Sequence, residues 1–188
     1  LGAALGGRYA DLQALLAADA LGEAAAAVAG RTAEFRLGDV TLLPVIPHPG
    51  KIWCCGLNYG EHVRETHREV TEQPTFFLRV ADSQVGHDQP IVCPPESTQV
   101  DYEAEIAVVI GKPGRRIAEA DVAQHIAGYA CDNDGSIRDW QKHTSQWVPG
   151  KNFWRTGGFG PWMVTADEIP FGTVMRLHLP LRMNMTPR

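Results

Sequence analysis

Apolar and polar positions alternate over short stretches through most of the chain, and a helical period is confined to a few regions. Residues 11–30 are rich in Ala and Leu, with Leu12, Leu15, Leu16 and Val28 as the larger apolar members. This predicts a helix, or a helical pair broken at Gly22. From Thr32 the pattern changes to short apolar runs punctuated by Pro44, Pro47, Pro49 and Gly50, which reads as a strand followed by a linker. Beyond it, strand patterns cover 51–56, 75–80, 103–110 and 162–165, and helical patterns cover 60–70 and 117–126. The expectation is a β-rich α+β fold, with 1–49 as a small N-terminal α/β appendage and linker and 50–188 as the catalytic part.

Composition narrows the functional classes. With 188 residues, 44% of them hydrophobic, the chain can bury a core without disulfides. Cys54, Cys55, Cys93 and Cys131 show no C-x-x-C spacing, so free thiols in a reducing cytoplasm are expected. A net charge of -5 and the lack of any basic cluster beyond Arg115-Arg116 argue against a nucleic-acid partner. No apolar run approaches the roughly 20 residues that span a bilayer, so no membrane partner is expected either. The chain does not begin with Met, which leaves its start open upstream.

The strongest chemical signal is the segment 101–111, DYEAEIAVVIG. In a strand, Tyr102, Ala104, Ile106, Val108 and Ile110 share one face, and Asp101, Glu103 and Glu105 share the other. Side chains two apart stand about 7 Å from each other, so Glu103 and Glu105 can turn toward one hard cation held ~2.1 Å from each oxygen. The plainer alternative is an edge strand with a solvated acidic face. Ile106 to Ile110 is apolar enough to favour a buried strand, whose carboxylates would need a partner.

A second acidic group, Asp132-Asn133-Asp134-Gly135-Ser136, lacks the Gly and Glu positions of an EF-hand and reads locally as an Asx turn. Arg138, Gln141 and Lys151 follow it. Together they offer a fork for a carboxylate, an amide for a carbonyl and a point charge for an enolate, which suits a small anionic oxo acid. His62 and Glu65 are i,i+3 neighbours on the expected helix, where Glu65 could orient the imidazole as a general base; such pairs are also common on helix surfaces. Gly111-Lys112-Pro113-Gly114 and Gly157-Gly158-Phe159-Gly160 read as turns, and there is no serine-hydrolase elbow.

In order along the chain, 51–59 with His62 and Glu65, 101–111, Gly128-Tyr129, 133–141, Gly150-Lys151 and Gly160-Pro161-Trp162 resemble the fumarylacetoacetate hydrolase family, over about 43–169. The resemblance implies a mixed β-sheet roll, here with the C-terminal part of the usual domain missing, and a homodimer. It implies Mg²⁺, with Mn²⁺ or Ca²⁺ as substitutes, on Glu103, Glu105 and Asp134. It also implies catalytic roles for His62, Glu65 and Lys151, with Arg138 and Gln141 around the substrate.

The implied activity is Mg²⁺-dependent hydrolysis of a carbon–carbon bond in acylpyruvates or related β-diketo and 2-oxo acids. The same family also implies decarboxylation, isomerisation or dehydration of 2-oxo acids, and a truncated, non-catalytic metal-binding subunit is the reading from another class. The chain departs from the family pattern at Gly135, where Val is frequent, at Arg79, where Lys is frequent, and at Trp154, where Asp is frequent.

Overall fold

The computed structural model describes residues 2–58, 73–178 and 180, so the helix expected over 60–70, with His62 and Glu65, lies outside the described residues. Near the N-terminus the helical pair forms as α1 (Leu12–Ala17) and α2 (Leu21–Val28). The Asp11 carboxylate accepts from the Ala14 N–H at 2.8 Å and so starts α1. The break falls at 18–20 rather than at Gly22, which sits inside α2. Asp19 takes a left-handed conformation at φ 52, and the Ala20 N–H donates to the Leu15 carbonyl at 3.1 Å. Asp tolerates that conformation better than most residues, so the turn needs no glycine.

No strand forms over 32–49; a single 3-10 turn (Leu37–Asp39) stands there instead. Phe35, Leu37 and Leu43 are exposed, and Pro44, Pro47 and Pro49 have no N–H to give a ladder. The segment meets the sheet through the Val45 N–H, which donates to the Phe159 carbonyl at 3.3 Å, and through Ile46, which packs against Val109 and Ala127.

The strands that follow are β1 (Ile52–Gly56), β2 (Thr75–Arg79), β3 (Gln84–Val85), β4 (Val100–Asp101), β5 (Ala104–Ile110), β6 (Ile126–Asn133), β7 (Ser136–Ile137), β8 (Gly157–Phe159) and β9 (Val164–Thr165). Short helices α3 (Arg138–Gln141) and α4 (Val148–Lys151) lie between β7 and β8. The pattern over 117–126 becomes a 3-10 helix (Glu119–His125), and the presumed turn at 157–160 contains β8.

β1 and β2 pair antiparallel. The larger sheet runs β3-β8-β6-β5, with β9 also on β6; β3 and β8 are parallel and the other pairs antiparallel. Among the described residues β5 is therefore an edge strand, contrary to the buried position expected from its apolar residues. Tyr102, Val108 and Ile110 face outward and are exposed, whereas Val109, on the opposite face, clusters with Leu16 of α1 and Ala127 of β6. Through Leu16 the N-terminal helices pack directly on the sheet that carries the acidic residues. Their own small core joins Leu5, Leu15, Ala20 and Ala24.

Candidate functional site

A single register lines up the acidic residues. Val100 pairs with Ile137 and Asp101 with Ser136 across β4 and β7, and Ala104 pairs with Asn133 and Glu105 with Asp132 across β5 and β6. Between them the Asp134 N–H donates to the Glu103 carbonyl at 2.9 Å, so these two residues also stand opposite each other. The two ladders keep one register, which places Asp101, Glu103, Glu105, Asp132 and Asp134 on one side, with Glu103 and Asp134 in the gap between the ladders. Like charges directly opposite are destabilising, so this face requires cations.

The chain supplies Lys151, Arg79 and Arg138. Lys151, at the end of α4, is buried to 1% exposure, and its Nζ donates to Glu103 Oε2 at 2.8 Å and Asp134 Oδ2 at 2.7 Å. Phe77 of β2 closes over it, with the ring centroid 5.0 Å from Nζ. Arg79, the last residue of β2, is buried and reaches Asp134 Oδ1 at 2.5 Å. Arg138 is partly open to solvent; it meets Asp101 Oδ2 at 2.8 Å and Glu103 Oε1 at 2.5 Å, and donates to Gln141 Oε1 at 2.9 Å.

The electrostatics follow this crowding. Asp132 is only half-buried by exposed area, yet the protein packed about its carboxyl pushes its pKa up to about 7; Asp134 and Glu105 add to the rise, and Arg79 and Lys151 oppose it. Burial likewise pushes the Cys54 thiol up to about 12, with Asp134 and Asp132 reinforcing it, which leaves no thiolate for nucleophilic chemistry. Partial burial works against the charge of Arg138, but Glu103 and Asp101 hold its pKa above the ordinary value.

Among the described residues, no group of three His, Cys, Asp or Glu side chains converges closely enough to hold a metal ion as positioned. Glu103 and Asp134 meet on Lys151, while Glu105 stands one pleat further along, opposite Asp132. In donor type and charge the set nevertheless fits a hard divalent cation. All the donors are carboxylate oxygens, the acids outnumber the cations among them, and a buried ammonium is already accommodated between two of the three expected ligands.

Residues 51–188 match the family described as "Fumarylacetoacetate (FAA) hydrolase C-terminal". The chain belongs to the fumarylacetoacetate hydrolase family. The chain is 39% identical to "Oxaloacetate tautomerase FAHD2A, mitochondrial" of Homo sapiens over 155 residues, covering 79% of this chain and 49% of the relative. It thus spans about half the length of the curated relatives it matches. Among solved structures it resembles 5-carboxymethyl-2-hydroxymuconate delta-isomerase from Mycobacterium smegmatis, at 36% identity and a TM-score of 0.61, over 70% of this chain and 50% of that one. It also resembles fumarylacetoacetate hydrolase from the psychrophile Exiguobacterium antarcticum, at 33% identity and a TM-score of 0.60, over 66% and 46%. The fold is the β-rich α+β fold of this family, whose members are enzymes that include hydrolases, isomerases and tautomerases.

Within this family fold the structure brings Glu103, Asp134, Lys151, Arg138 and Gln141 into one connected cluster, with Glu105 on the same face; His62 and Glu65 lie outside the described residues. Sequence reading passed over Arg79 and Asp132 as site members. The signal for Asp132 was available, because it lies two residues before Asp134 in a strand, but the segment read as a turn. Gly135 has a steric reason, since a Cβ there would run into the Thr156 carbonyl.

Proposed function

We propose that this chain forms the core of an enzyme that enolises small 2-oxo acids, and that its reaction is keto–enol tautomerisation of a 2-oxo dicarboxylic acid of the oxaloacetate type. The observation that carries the proposal is the buried Lys151 ammonium held between Glu103 and Asp134, beside the half-open Arg138 and Gln141. The name of the human relative supports the choice of substrate class.

Glu103, Glu105 and Asp134 would hold Mg²⁺, which when bound supplies Lewis acidity toward the 2-oxo and carboxylate oxygens. Lys151 Nζ places positive charge where enolate oxygen develops, and its burial strengthens that interaction by excluding water. The Nε/Nη2 edge of Arg138, held at Asp101 Oδ2, would turn its planar fork to the distal carboxylate, while the Gln141 amide, tied to Nη1, fixes the orientation of that fork.

Hydrolysis of an acylpyruvate is the second reading, favoured by the His62–Glu65 spacing, which would let His62 take a proton from the attacking water. Incubation of the purified protein and Mg²⁺ with enol-oxaloacetate and with acylpyruvates separates the two. Faster keto–enol relaxation without change of mass supports tautomerisation, and release of pyruvate and a second acid supports hydrolysis. If neither occurs, both readings fall.

Homodimeric assembly is part of the same proposal. Its support is the outer face of β1 and β2, where Trp53, Phe76, Leu78 and Val80 are exposed. Sedimentation giving a monomer would remove it. Free Cys54, Cys55, Cys93 and Cys131 are compatible with a reducing compartment, whether cytoplasm or mitochondrial matrix.

A further inference from the structure

A guanidinium has five N–H donors in a fixed plane, and at Arg79 every one is taken by protein. Nε donates to Ser83 Oγ at 3.2 Å, Nη1 to Asp134 Oδ1 at 2.5 Å and to the Gly135 carbonyl at 2.9 Å, and Nη2 to Thr156 Oγ1 at 3.3 Å and to the Ser83 carbonyl at 3.5 Å. The acceptors are themselves fixed. Ser83 Oγ donates to the Val80 carbonyl and Thr156 Oγ1 to the Phe153 carbonyl, each at 2.7 Å. The side chain of Arg79 has no exposed surface.

A cation held in this way has no donor left for a ligand and no room to turn. Arg138 differs in being a quarter exposed at the side chain, with Nε and Nη2 on the solvent-exposed Asp101 and Nη1 on Glu103 and Gln141. We infer that Arg79 is a positioning residue: it clamps one oxygen of Asp134 and the backbone of Gly135, so that the other Asp134 oxygen faces Lys151 and Glu103, and it does not itself bind substrate. This deepens the proposed function and rests on that reading only where metal affinity is measured.

The surroundings of the clamp supply a test that leaves every charge in place. A Cβ at Gly157 would come 2.6 Å from Arg79 Nη2 and 2.9 Å from Cζ, whereas one at the neighbouring Gly158 meets only Asn133 Cβ at 3.7 Å, an ordinary contact. Gly157→Ala should therefore displace Arg79, and Gly158→Ala should not.

The experiment uses Arg79→Lys, Gly157→Ala, Gly158→Ala, Asp134→Asn and the Arg79→Lys/Asp134→Asn double variant. Isothermal calorimetry should show Mg²⁺ affinity weakened at least tenfold in Arg79→Lys and Gly157→Ala and unchanged in Gly158→Ala. KM for substrate at saturating Mg²⁺ should stay within about twofold of wild type. In metal-free protein, the melting-temperature losses of Arg79→Lys and Asp134→Asn should be clearly less than additive in the double variant.

A folded Arg79→Lys protein with wild-type Mg²⁺ affinity, additive losses in the cycle, or a raised KM with unchanged metal affinity would each overturn the inference. If wild-type protein binds no Mg²⁺, the metal reading above fails, and the metal-free cycle alone then decides whether Arg79 holds Asp134.

Discussion

Glu105 and Asp132 stand directly opposite each other on β5 and β6, two acids facing across one rung of a ladder. A pair of this kind raises the free energy of the folded state unless one member is protonated or a cation intervenes. Its consequences can be measured.

Asp132→Asn should stabilise the metal-free protein in a pH-dependent way. The folded-state pKa, about 7, lies above the ordinary 3.8, so the folded protein holds this proton more tightly than the unfolded chain does. Wild-type stability then falls as pH rises from about 4 through 7, and the variant escapes that fall. Its melting temperature should exceed that of wild type at pH 8 and match it near pH 4, with saturating Mg²⁺ narrowing the gap at pH 8. Equal curves at all pH values would contradict the assignment.

Glu103→Gln and Glu105→Gln should each abolish Mg²⁺ binding, because each removes an anionic oxygen while keeping the shape of the side chain. Titration calorimetry giving wild-type affinity in both would remove these ligands.

Lys151→Met leaves Glu103 and Asp134 without their shared cation. Breaking a buried pair costs roughly 3–5 kcal/mol, so denaturant midpoints should fall accordingly in metal-free protein. Added Mg²⁺ should restore more stability to the variant than it gives to wild type.

His62→Ala should leave Mg²⁺ affinity intact and, if hydrolysis is the reaction, lower kcat by ~10²–10⁴-fold. Unchanged hydrolytic turnover across pH 5 to 9 would end the general-base role. Glu65→Gln should act in the same direction with a smaller effect.

Leu16→Ala should destabilise the whole protein by roughly 2–5 kcal/mol, since Leu16 is buried against Val109 and Ala127 of the sheet. A loss confined to the N-terminal helices, seen by hydrogen exchange, would show that they unfold independently.

The acids of β5 were legible in the sequence because strand alternation is a local rule: Asp101, Glu103 and Glu105 must share a face wherever that strand lies. What covers the strand is not local. Ile106 to Ile110 suggested burial on both faces, and only the sheet order shows Val109 packed inward while Val108 and Ile110 face out. Asp134, Arg138, Gln141 and Lys151 came from the family resemblance together with charge pattern. Asp132 escaped because its two-residue spacing from Asp134 falls in a segment that reads as a turn, and Arg79 because its contact spans 55 positions of chain and is not written in neighbouring residues.

The register shared by the two ladders, from Val100–Ile137 to Val108–Tyr129, makes the cluster behave as a digital object. Its acids are set by that register, with Glu103 and Asp134 tied across the gap between the ladders by a backbone hydrogen bond, so the connection at 111–125 does not space them. A slip of one residue between β5 and β6 would send Glu105 or Asp132 to the far side of the sheet. Mutational drift can therefore rewrite the groups around this cluster, and with them the reaction, while the cluster itself is inherited whole or lost at once.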